Sequence, residues 1–187
     1  MNNKAFATLL LFCSPLLAHA HSITLGQALP SVSIASAGEL ILTSQKNIIY
    51  QDWSSQNLVG KVRVIQAIAG RSHAKEMNEP LMTAITKAEF PAQQYQTTTI
   101  VNQDDAIWGT GSFVKSSVQE SKQDFPWSSI VLDETGKAAK TWQLKNESSA
   151  IIVQDKEGKV LFIKEGSLSP SEIQNVLTLI RQNLPSS

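Results

Sequence analysis

The chain has 187 residues, 42% hydrophobic and 17% charged, and its 16 basic and 16 acidic side chains cancel to a formal charge of zero. A chain of this length buries about 70% of its unfolded surface around one core, so it needs no metal or disulfide staple. Neutrality removes the basic footprint that nucleic-acid binding requires, and past the N-terminus no apolar run approaches the ~20 residues of a membrane span.

Lys4, the apolar run Ala5 to Leu17 and the tripeptide Ala18-His19-Ala20 follow the order of an export signal with cleavage after Ala20. Phe12 is too large for the residue before a lipidated cysteine, which argues against an anchor at Cys13. The expectation is therefore a signal peptide over residues 1–20, a single domain over residues 21–187, a periplasmic location and no membrane attachment after processing. Cys13 is the only cysteine and leaves with the leader. The processed chain then has no disulfide, no thiol chemistry and no Cys/His spacing for zinc.

Val32 and Ile34 alternate with serines, Gly38 reads as a turn, and Glu39 to Leu42 follows, a pattern that predicts an N-terminal β-hairpin laid on the domain. Tyr50 and Trp53 lead through a polar loop to Gly60. Val62 to Ala69 is almost continuously apolar and β-branched, as befits a central strand covered on both faces. Ser72 is a candidate cap for a helix whose apolar positions are Met77, Leu81, Ala84, Ile85 and Ala88, with Pro80 expected to kink it.

Tyr95 to Val101 reads as a second strand ending in Asn102-Gln-Asp-Asp105. A loop over Ala106 to Gly111 carries Trp108, and Phe113, Val114, Ser117, Val118 and Ser121 give a shorter helical face. Ser128 to Asp133 is a third strand, and a mixed segment holds Trp142 and Leu144. Ala150 to Val153 and Val160 to Ile163 flank the turn Asp155 to Gly158 as a hairpin. Ser169, Pro170 and Glu172 form the signature of a capping box ahead of the stripe Ile173, Val176, Leu177, Ile180 and Leu184. Strands joined by helical crossovers, then an antiparallel hairpin, predict an α/β fold: a mixed sheet with helices on both faces.

Gly26, Leu29-Pro30, Gly38, Gly60-Lys61-Val62, Lys75-Glu76-Met77 and Asp155 to Lys159 resemble landmarks of the exported thioredoxin-like proteins that reduce disulfides. Longer stretches resemble the YtfJ family: Gly60-Lys-Val-Arg-Val64, Ala69-Gly-Arg-Ser72, Tyr95-Gln-Thr-Thr-Thr-Ile-Val-Asn102 and Asp104-Asp-Ala-Ile107. That family comprises small exported bacterial proteins with no established biochemical function. The resemblance covers nearly all of the processed chain and implies a thioredoxin-like fold. It also implies where the redox centre would lie. The two cysteine positions fall on Gly70 and His73, and the facing cis-proline position on Ser149. The groups of thiol–disulfide exchange are absent, so a disulfide oxidoreductase is excluded while other catalysis stays open.

Candidate ligand-binding residues are Gly70, Arg71, Ser72, His73, Asp104, Asp105, Trp108 and Ser149. The Gly70–His73 loop reads in two ways. As a site, a helix N-terminus and the Arg71 fork favour an anion, with Gly70 admitting close approach and His73 sharing a hydrogen bond. As structure, Ser72 caps the helix, Arg71 pairs with a nearby carboxylate and His73 is solvated. Asp104 and Asp105 are acid–base or cation-holding candidates, or ordinary loop carboxylates. Trp108, Trp127 and Trp142 are most simply core or groove wall, and Gly109-Thr110-Gly111 is not a phosphate loop.

No cofactor or metal is implied; an N-terminal His21 with His73 is a weak basis for copper. The leading expectation is a redox-inactive binding or interaction module whose partner is a small anionic ligand or an exported protein, not nucleic acid. The alternative is a non-thiol hydrolase or transferase using Asp104, Asp105 and His73. A transcriptional regulator is a third reading, opposed by export, neutrality and the lack of a helix-turn-helix pattern.

Overall fold

The computed structural model describes residues 21–185; the expected signal peptide lies outside them. In chain order the elements are β1 (Ser33–Leu42), β2 (Ile48–Ser54), β3 (Val62–Ala69), α1 (Ser72–Glu76), α2 (Glu79–Ala88), β4 (Tyr95–Asn102), α3 (Gly111–Asp124), β5 (Ser129–Asp133), α4 (Lys137–Trp142), β6 (Ser149–Gln154), β7 (Val160–Glu165) and α5 (Pro170–Asn183). One seven-stranded sheet runs β2-β1-β5-β4-β3-β6-β7. β3, β4 and β5 are parallel, and the remaining neighbours are antiparallel. No helix among the described residues is long and apolar enough to cross a membrane.

β3 is the strand the others are laid around, and its side chains alternate between two cores. Val62 and Val64 pack with Leu81 and Ile85 of α2 and with Ile173, Val176 and Ile180 of α5. Ile68, further along the same face, meets Ala74 of α1 and Val118 of α3. Ile65 and Ala67 point the other way, toward Ala138 and Trp142 of α4, Trp53 of β2 and Ile34 of β1. Helices therefore cover both faces, and the mixed sheet expected from the element order is present.

Three local expectations are corrected. Gly38 does not turn a hairpin. It sits inside β1, where the register against β2 shifts between Ile34 and Glu39, and the reversal comes later, with Thr43 N–H donating to Asn47 O at 2.8 Å. The alternation that predicted two short strands is one long strand interrupted by a bulge, which keeps both apolar stretches on the sheet.

Ser72 does not cap α1. It is the first helical residue, Arg71 occupies the cap position, and no side chain accepts from the helix there. Pro80 does not kink one long helix either. The chain breaks at Met77 and Asn78, and Pro80 lies in the first turn of a second helix, where its missing N–H is not needed. The segment with Trp142, unassigned from sequence, is α4, and its indole Nε1–H donates to Pro30 O at 2.8 Å. Ser169 caps α5 with the expected box.

Candidate functional site

The site is built where β3 and β4 end side by side. Ala69 pairs with Asn102, and Gly70 N–H donates to Asn102 O at 2.8 Å, so the two chains leave the sheet together. A side chain at 70 would press on Asn102 O at 3.0 Å, Ala106 Cβ at 3.2 Å and Val114 Cγ2 at 3.3 Å. Gly70 thus lets the loop after β3 lie against the turn after β4. That turn is a short 3-10 segment, Gln103–Asp105, whose Asp105 N–H donates to Asn102 Oδ1 at 3.3 Å.

Close approach places Arg71 over Asp105. Its Nε–H donates to Asp105 O at 2.9 Å, with longer contacts from Nε and Nη2 to Asp105 Oδ1 at 3.4 and 3.3 Å. Nη2 also meets Glu147 Oε1 at 2.9 Å, and Glu147 N–H donates to Asp105 Oδ2 at 2.6 Å. Arg71, Asp105 and Glu147 therefore tie three loops together: those after β3 and β4, and the one entering β6. The pairing of Arg71 with a nearby carboxylate is what the structural reading of this loop anticipated. The helix-end contribution to anion binding is slight, because α1 has only five residues and few aligned peptide dipoles.

Asp104 turns away from Asp105. Its Oδ2 accepts from Lys140 Nζ at 2.8 Å, and the same ammonium donates to Thr135 O at 2.7 Å. Between these groups lies an open cleft of about 260 Å³ lined by Asn102, Asp104, Asp105, Lys140, Gln143 and Asn146. A much smaller chamber of about 20 Å³ reaches inward past Asp133 to Ser148 and Ser149, enough for about one water.

Ser72 and His73 are exposed, and among the described residues no hydrogen bond joins His73 to Asp104 or Asp105. No direct hydrogen bond among the described residues thus joins the acid–base trio proposed from sequence. Ser149 is also turned to internal use. Its Oγ–H donates to Asn78 Oδ1 at 2.7 Å, Asn78 Nδ2 to Gln66 Oε1 at 3.3 Å, and Gln66 Nε2 to Thr99 Oγ1 at 2.9 Å. Among the described residues there is no cluster of three or more histidine, cysteine or acidic side chains placed to hold a metal.

Trp108 departs furthest from the expectation of core or groove wall: it is 97% exposed, with Ile107 58% and Phe113 74% exposed close by in the chain. Sequence reasoning missed Glu147, Lys140 and Asn78. Glu147 lies 76 positions from Arg71, and nothing local to it signals the contact. At the other end of β3, Arg63 is buried with its guanidinium on Leu58 O, Asn57 O, Gln96 Oε1 and Thr98 Oγ1. Burial lowers its pKa, opposed by the Glu39 carboxylate. It is a structural tie, remote from the cleft.

The fold and sequence comparisons agree. In shape the chain is similar to a protein assigned as the thiol:disulfide interchange protein DsbE of Chlorobium tepidum, with a TM-score of 0.58 over 88% of this chain and all of that one, at 15% identity. Such likeness shows a thioredoxin-like fold and nothing about activity. In sequence it is 48% identical to the uncharacterized protein YtfJ of Escherichia coli K12, over 91% of this chain and 92% of the relative. It is also 48% identical to an uncharacterized protein of Haemophilus influenzae, over 86% and 87%. Residues 23–183 match the family described as "bacterial protein of unknown function (YtfJ_HI0045)", and the chain belongs to that family.

Proposed function

We propose that this is an exported, periplasmic interaction module: a thioredoxin-like scaffold without redox groups that docks a peptide or protein segment beside the Gly70–His73 and Asn102–Trp108 loops. The observation that carries this reading is the exposure of Trp108 at 97%, flanked by Ile107 and Phe113. Large apolar side chains grouped on the surface mark contact sites more often than scattered ones do, and tryptophan is the side chain most enriched among residues that dominate binding. A segment with apolar side chains suits this face better than a free small anion, because the large exposed side chains of the loop, Ile107 and Trp108, are apolar. The hydrolase reading has no hydrogen bond between His73 and either aspartate to rest on, and both carboxylates are paired elsewhere.

A photo-crosslinking residue at position 108, in cells exporting the protein, tests the reading. The expected result is crosslinking to a discrete exported partner that Phe113→Ser diminishes, while the same probe at exposed Gln174 on α5 gives none. Equal crosslinking from both positions would count against the face. N-terminal sequencing of the recovered protein checks export: a chain beginning at His21 is expected.

A further inference from the structure

Arg71 uses only part of its guanidinium. The Nε edge is held by the Asp105 main-chain oxygen at 2.9 Å, which fixes the plane of the group. Nη2 contacts Glu147 Oε1 at 2.9 Å and, further off, Asp105 Oδ1 at 3.3 Å, and Nη1 has no hydrogen-bond partner among the described residues. The Nη1–Nη2 edge is the one that accepts a carboxylate through two parallel bonds. Here Nη2 holds one oxygen of Glu147, a side chain that is 65% exposed, at shorter range than Asp105 Oδ1. An ion pair so exposed contributes little and exchanges readily.

Glu147 is built to let go without unravelling its loop. Its backbone N–H stays on Asp105 Oδ2 at 2.6 Å whatever its carboxylate does. Its φ of +55° lies in the left-handed region, as the close turn into β6 requires. Trp108 is only three residues beyond Asp105, within about 11 Å along an extended chain. A carboxylate on Arg71 and an apolar side chain on Ile107 or Trp108 are then within reach of one short peptide.

We propose that Glu147 is an internal placeholder, and that Arg71 receives a carboxylate of an incoming peptide whose neighbouring apolar side chain rests on Ile107 and Trp108. This rests on the interaction-face reading above and adds the chemistry of the ligand.

Three fluorescein-labelled peptides titrated into the purified protein test it: Gly-Ser-Leu-Phe with a free C-terminal carboxylate, the same peptide as its C-terminal amide, and an amide with glutamate before the phenylalanine. The carboxylate is expected to tighten binding about tenfold over the plain amide, the scale of a good charge-assisted pair. The glutamate peptide reports whether a side-chain carboxylate serves equally. Glu147→Gln is expected to tighten both acidic peptides about two- to fivefold by removing the competitor. Arg71→Gln, which removes the charge as well as the fork, is expected to erase the difference between acid and amide, and Glu147→Gln carries the test if that variant folds poorly. Equal binding of acid and amide, lost in Trp108→Ala, overturns the carboxylate proposal and leaves the face standing. Unchanged or weaker binding in Glu147→Gln overturns it too. Absence of binding by every peptide overturns both.

Discussion

Ser149 Oγ–H donates to Asn78 Oδ1 at 2.7 Å, and both residues are almost wholly buried. The bond joins the start of β6 to the break between α1 and α2. Through Gln66 and Thr99 the same chain of bonds reaches β4. A buried polar network of this kind stabilises only while every member is paired.

Ser149→Ala leaves the buried Asn78 Oδ1 without its donor, which costs about 1–3 kcal/mol of folding stability. Urea denaturation should show that loss. Combined with Asn78→Ala, the two effects should fall short of additive by about 1 kcal/mol, because one bond is counted in both single variants. Strict additivity would show that the bond contributes nothing of its own.

β3, β4 and α5 were legible from sequence because their signals are local: a β-branched run, a threonine-rich strand, and Ser169 with Pro170 and Glu172. The Gly38 region was misread because a bulge and a turn use the same residue, and only the partner strand distinguishes them. The Pro80 region was misread because a kink and a new helix start give the same apolar spacing. Within the candidate site, Arg71 and Asp105 were visible as chemistry but their mutual contact was one of two readings. Glu147 was invisible, since its place beside Arg71 depends on the loop into β6. Exposure of Trp108 was misjudged because a tryptophan in a glycine-bearing loop has no periodicity from which a face can be read.

Gly38 has φ +86°, and a Cβ there would run into the carbonyl of Gln51 on β2. Gly38→Ala therefore combines left-handed strain with a backbone clash that no side-chain rotation relieves. The expected cost is about 2–4 kcal/mol, against no comparable loss for Gly26→Ala, whose surroundings are open although its φ is +76°. Thermal melts of the two variants make the comparison; similar losses from both would show that strain alone, not the approach of β2, decides the effect.

Glu172 gives a pH dependence with a definite sign. The Lys164 ammonium at 2.8 Å, then the Ser169 N–H at 2.7 Å and the Ser169 hydroxyl, lower its carboxyl from 4.5 to about 2. A carboxyl that ionises more easily in the folded chain favours folding once ionised. Its contribution is complete above the ordinary value near 4.5 and is lost as pH falls through about 2. The Glu172 carboxyl followed by NMR should titrate well below its neighbours, and Lys164→Met should move it upward. A carboxyl that titrates at the ordinary value in the unaltered protein would remove Glu172 from acid stability.

Trp108 and Trp142 form a pair of opposites on which the functional reading can be checked without knowing the partner. Trp142 is fully buried and donates to Pro30 O at 2.8 Å, whereas Trp108 is almost fully in solvent. Trp142→Phe loses that bond and part of a packed ring, and should cost about 1–3 kcal/mol. Trp108→Ala should change stability by less than about 0.5 kcal/mol while removing a component of the fluorescence that is red-shifted and open to iodide quenching. A large apolar ring left in solvent three residues beyond Asp105 fits a contact made with another molecule. Should Trp108→Ala instead destabilise the fold as Trp142→Phe does, the indole would belong to the core, and the interaction face would lose the residue on which it rests.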